Sequence, residues 1–175
     1  MVVSPARPVH MKYNILLVED NSGFRQTLAE TLCAHFATMN IAEAGSGEDA
    51  LVKVDEFHPD MIFMDINLPG ENGLEATRRI KSRHKHTLIA MLTSYDIPEY
   101  RQQAFRNGAD HFISKADDSC LRDIIAWVEK AVADKNTSSA DDNSTSRREL
   151  LRQRNSGTRD CLPGAGLGRA ACMAL

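Results

Sequence analysis

Apolar runs and helical periodicities alternate along this chain. "NILLV" over 14–18 is a short apolar run rich in β-formers, and Phe24, Leu28, Leu32 and Phe36 then recur at helical spacing behind Asn21 and Ser22, which supply capping chemistry. "MNIAEA" over 39–44 is a weaker strand. Ser46 with Asp49 has capping-box spacing, and Ala50, Leu51, Val54 and Phe57 mark one face of a short helix that Pro59 ends. "MIFM" at 61–64 is the third strand, and a helix is expected near Leu74, Thr77, Arg78 and 80–83. "LIAML" at 88–92 is the fourth strand, followed by a helix over 97–107 that begins near Pro98, and "HFIS" at 111–114 is the fifth. From Asp117, Leu121, Ile124, Ile125, Val128 and Val132 trace an amphipathic helix.

The strands read as continuous apolar runs rather than alternating ones, as in a parallel sheet covered on both faces. The expected fold is a doubly wound α/β sandwich of five strands. Beyond about residue 134 the pattern collapses into "DKNTSSADDNSTS", a polar linker composition, and then a Gly- and Ala-rich segment without core-building period. A folded domain over 12–133 and a polar linker with a disordered tail over 134–175 are expected.

Composition narrows the class. Hydrophobic content of 42% and charged content of 26% suit a soluble globular protein. The first residues lack the hydrophobic stretch of a secretory signal, so a cytoplasmic chain is expected. Residues 1–134 hold 14 Lys+Arg against 20 Asp+Glu, net −6, and residues 135–175 hold 7 against 4, net +3. An acidic body argues against a nucleic-acid-binding surface. Cys33, Cys120, Cys161 and Cys172 are scattered without a CxxC pair, which reads as reduced thiols rather than a disulfide framework or a zinc site.

The chemistry collects at one edge. In open α/β sheets it sits at the carboxyl ends of the strands. Here those ends carry Glu19 and Asp20, then Asp65, then Thr93 and Ser94, then Lys115. Three clustered carboxylates raise one another's pKa unless a cation joins them. Oxygen-only ligands with open water positions suit Mg²⁺. An aspartate in such a set can act as a nucleophile toward phosphorus, with a Lys ammonium and a Thr hydroxyl taking up phosphoryl charge. Lys115 alone would be a solvated loop lysine and Thr93 alone a β-former; their case rests on the shared rim. No role as a phosphate carrier is assigned to the six His, which fall on predicted helix ends, a strand or loops without partners.

In order and spacing, "LLVEDN", "MDINLPGENG", "LTS" and "FISK" resemble the receiver domain of two-component response regulators over residues 12–133. The resemblance implies a flavodoxin-like sheet of order 2-1-3-4-5. It makes Asp65 the phosphoacceptor, with Glu19, Asp20, Asp65 and the Asn67 backbone carbonyl on Mg²⁺. Thr93 and Lys115 would bind the phosphoryl group, and Phe112 fills the switch-aromatic position, coupled to Thr93. Ala116 stands where the family often has a cis-proline, a version similar to receivers of regulators with a LuxR-type helix-turn-helix. Tyr95 is either a shield for the acyl phosphate or an exposed loop aromatic.

The implied partners are a histidine kinase or phosphotransfer protein, and a downstream protein or second copy at the face of helix 4, strand 5 and helix 5. No membrane partner is implied, and DNA binding by this chain alone is not expected. The expected role is a signalling switch with intrinsic phosphotransfer and autodephosphorylation, not a metabolic enzyme. One alternative is the receiver half of a DNA-binding transcription regulator whose helix-turn-helix module is absent here. Another, a phosphatase of the aspartyl-phosphate type, is disfavoured because "DINLP" lacks the second Asp of DxDx[TV].

Overall fold

The computed structural model describes residues 13–36 and 38–135. Strands and helices alternate as the hydrophobic pattern predicts. They are β1 (Tyr13–Val18), α1 (Ser22–His35), β2 (Met39–Ala44), α2 (Gly47–Phe57), β3 (Met61–Asp65), α3 (Gly73–Arg83), β4 (Leu88–Thr93), α4 (Pro98–Arg106) and β5 (His111–Ser114). A further helix, α5, runs over 120–130 within the unit Met1–Lys130. Residues 131–135, the described part of the second unit, are also helical, and the rest of the expected tail lies outside the described residues. Among the described residues no helix is long and apolar enough to cross a membrane.

The sheet has the order β2-β1-β3-β4-β5, and every neighbouring pair is parallel. β3 is therefore the central strand. Its register runs Ile15 beside Met61 on one edge and Met61 beside Leu88 on the other. All five of its residues are buried, which explains the unbroken "MIFM". Successive side chains point to opposite faces. Leu16, Val18, Ile62, Met64, Ile89 and Met91 share one core with Val54 of α2, Ile80 of α3 and Ala104 of α4. On the other face Phe63 meets Trp127 of α5 edge-on, with ring centroids 5.6 Å apart.

Local chemistry starts and stops the helices where capping rules require. Asn21 Oδ1 accepts the Phe24 N–H at 3.0 Å, and Ser46 Oγ accepts the Asp49 N–H at 3.2 Å. Asn72 does the same for Leu74 at 2.8 Å. α2 ends on His58 in the left-handed region, φ 49°, because the following Pro59 disfavours another α-conformation residue. Three expectations shift. Phe36 lies beyond α1 as its C-cap, although its N–H still reaches Leu32 O at 2.9 Å. α5 begins at 120 rather than Asp117, because the Asp117 carbonyl closes a turn onto the Cys120 N–H at 3.0 Å and Ser119 O accepts the first helical bond from Asp123. The histidines are not all without partners: His84 Nε2 lies 2.8 Å from Asp55 Oδ1, and His111 stacks on Trp127 at 5.7 Å.

Candidate functional site

The carboxyl ends of β1 and β3 and the residue after β5 converge on one open cleft of about 430 Å³. It is lined by Glu19, Asp20, Asp65, Asn67 and Lys115, together with Asn21, Phe24, Ser94 and Tyr95. Glu19 leaves β1 with its N–H on Ala44 O at 3.0 Å, and Asp65 is the last residue of β3. Both acids are almost fully buried, and Asp20 is exposed. One carboxylate oxygen from each of the three lies within 4.8 Å of the others.

Lys115 makes this density of charge tolerable. Its Nζ stands 2.9 Å from Asp65 Oδ2 and also pairs with Glu19 Oε2. The Phe24 ring centroid is 5.1 Å from the same nitrogen, within cation–π range. The Lys115 N–H donates to Thr93 O at 2.7 Å, which fixes where the side chain leaves the backbone. Burial pushes the Glu19 carboxyl above its usual range, the Asp65 charge adds to this, and the Lys115 contact opposes it. Two buried carboxylates thus share one ammonium, and a third acid stands at the mouth. The donor set is all oxygen, without thiolate or imidazole, and it fits a hard divalent cation.

Backbone geometry fixes the surroundings of Asp65. The Asn67 N–H reaches Asp65 Oδ1 at 3.3 Å. The turn after it uses Gly70 at φ +75°, a conformation that L side chains avoid. The Gly73 N–H then returns to Ile66 O at 3.0 Å. A Cβ on Gly73 would stand 1.8 Å from the Asp65 carbonyl oxygen, so only glycine lets α3 begin against the Asp65 backbone.

The predicted residues do not all open onto the cleft. Thr93 is fully buried at the end of β4, and its hydroxyl accepts the Tyr95 N–H at 3.0 Å. Phe112 is also buried, with the Arg101 guanidinium 4.6 Å from its ring centroid. Tyr95 is 63% exposed at the cleft's edge. Gly73 and Phe24 were not legible as site residues in the sequence. Gly73 looks like one of several loop glycines, and Phe24 falls in the same helical series as the core residues Leu28 and Leu32. Nothing local separates a residue at the start of that series from those further along it.

Comparison with known proteins gives this fold and site a family. Residues 15–126 match the model of the response regulator receiver domain. The chain belongs to that family, whose members are the signalling switches of two-component systems. Among relatives, the transcriptional regulatory protein DegU of Brevibacillus brevis is 31% identical over 122 residues, covering 70% of this chain and 50% of the relative. The chemotaxis protein CheY of Halobacterium salinarum is 36% identical over 105 residues, covering 60% and 86%. Among solved structures, a LuxR-family two-component response regulator from Aurantimonas sp. SI85-9A1 aligns with TM-score 0.63 at 27% identity, covering 70% of this chain and 86% of that one. The chemotaxis response regulator CheY4 of Vibrio cholerae aligns with TM-score 0.62 at 27% identity, covering 69% and 99%. The chain spans about half the length of DegU and of the transcriptional activator ExaE of Pseudomonas putida.

Proposed function

We propose that residues 12–133 form a phosphoacceptor switch in which a histidine kinase or phosphotransfer protein donates its phosphoryl group to Asp65. The observation that carries this reading is the shared pocket of Glu19, Asp20, Asp65 and Lys115. An Asp65 oxygen attacks phosphorus, the bond from phosphorus to the donor's histidine nitrogen breaks, and the nitrogen keeps the electron pair. Glu19, Asp20, Asp65 and the Asn67 carbonyl would hold Mg²⁺, which would supply charge neutralisation for the phosphoryl oxygens. Lys115, already 2.9 Å from Asp65, takes one phosphoryl oxygen as a charge-assisted donor. Thr93 exchanges its contact with the Tyr95 backbone for another phosphoryl oxygen. Attack by water on the acyl phosphate resets the switch.

The readout is the face of α4, β5 and α5, with Phe112 as the aromatic coupled to Thr93. A downstream protein or a second copy docks there, and the chain works in the cytoplasm. The test is labelling with a small phosphodonor in Mg²⁺: wild type takes up one phosphoryl group and Asp65→Asn none. Undiminished labelling of Asp65→Asn overturns the assignment.

The length of the relatives favours a second reading. This receiver then regulates a DNA-binding module outside the present sequence, in keeping with the transcriptional roles that the names of DegU and ExaE give those proteins. Reading the gene beyond this point for a helix-turn-helix separates the two.

A further inference from the structure

Phe112 is buried, yet the group over its ring is a cation. The Arg101 guanidinium sits 4.6 Å from the ring centroid. The same guanidinium donates from Nη2 to Asp96 Oδ2 at 2.7 Å. Asp96 belongs to the loop between β4 and α4, next to Tyr95, whose N–H holds the Thr93 hydroxyl. Tyr95 O in turn accepts the Ile97 N–H at 3.1 Å, and Ile97 O accepts the Arg101 N–H at 3.2 Å. One side chain therefore spans the two halves of the proposed switch: the loop that anchors Thr93 and the ring on β5. As an exposed ion pair alone, Arg101 with Asp96 would contribute little. Stacking on a buried ring adds an interaction that depends on where the ring points.

We propose that Arg101 is a positioning residue that holds Phe112 turned inward before phosphorylation and ties it to the loop carrying Thr93. This rests on the reading of Thr93 and Phe112 given above. If the inward ring belongs to the state that binds the phosphoryl group better, a protein already in that state binds it with less loss. Removing the clamp lowers the competent fraction, and affinity at Asp65 falls by the same factor although Arg101 touches nothing in the cleft. The Arg101 side chain is 46% exposed, so its truncation opens no core cavity.

Two measurements test this on the full chain. In protein labelled with fluorophenylalanine, with the Phe112 signal assigned through Phe112→Leu, wild type shows one buried resonance. Arg101→Ala shifts it toward the exposed position or splits it, and Arg101→Lys restores part of the shift. In calorimetric titration with beryllofluoride and Mg²⁺, Arg101→Ala weakens binding by about fivefold or more, the lower end of usual site-to-site coupling. Asp96→Asn weakens it less, because the stacking remains. A Phe112 resonance unmoved in Arg101→Ala, or an unchanged beryllofluoride affinity, overturns the proposal. A wild type that takes up no beryllofluoride overturns the proposed function instead, while the fluorine spectrum still decides whether Arg101 holds the ring.

Discussion

Single atoms decide much at this site. The 1.8 Å separation between an added Cβ on Gly73 and the Asp65 carbonyl oxygen cannot be relieved by turning a flexible side chain, because the obstacle is backbone. Gly73→Ala should therefore destabilise the domain by about 1–3 kcal/mol, as overpacking does elsewhere. It should also slow Asp65 phosphorylation beyond what the stability loss explains; thermal melts and a labelling time course read the two effects separately. His111 gives a second prediction at this scale. Burial lowers its pKa, helped by the charges of Arg101 and Lys130 and opposed by Asp123. The folded state then holds fewer protons than the unfolded chain, so this stabilisation is complete above about pH 6.5 and is lost as pH falls through the depressed value. His111→Gln should flatten the decline of Tm between pH 7 and pH 5 relative to wild type.

At the scale of elements, a cap that lies away from the cleft separates stability from chemistry. Ser46 caps α2 and is not among the residues lining the acidic cleft. Ser46→Ala should cost about 1 kcal/mol of stability by chemical denaturation and leave phosphorylation unchanged in the folded protein. The elements were largely legible in the sequence, for a physical reason. A strand buried on both faces must be apolar throughout, so "MIFM" and "LIAML" announce themselves, and Asn21 and Ser46 mark helix starts by local hydrogen bonding. What stayed hidden depends on contacts between distant positions. The pairing of Lys115 with Glu19 spans 96 residues, and that of His84 with Asp55 spans 29. Arg101 over Phe112 exists only once α4 is laid against β5. The start of α5 is ambiguous in the sequence because Asp117, Asp118 and Ser119 all carry capping chemistry, and only the turn shows that Ser119 holds the position.

For the molecule as a whole, a cation held by the acidic cleft of Glu19, Asp20 and Asp65 would be linked to folding. A ligand that binds only the folded state stabilises it by about 1.4 kcal/mol at ten times its Kd. Mg²⁺ should raise the Tm of wild type by several degrees, a chelator should reverse the rise, and Asp20→Asn should lose most of it. Asp20 suits this test because it is exposed and its substitution leaves the buried Lys115 pairs in place. An unchanged Tm in Mg²⁺ would count against the cation site.

β3 is flanked by strands on both edges and all five of its residues are buried, so Asp65 is mounted on a strand enclosed on every side. A rigid mount has a mechanical consequence. Under the proposed function, a charge added at Asp65 would do little work deforming its own support, and the displacement would pass to the rim, where Ser94, Tyr95 and Asp96 carry exposed side chains. The sheet would then act as an anvil and the β4–α4 loop as the moving part, which would make loop sequence, rather than core sequence, the place where such a switch is retuned.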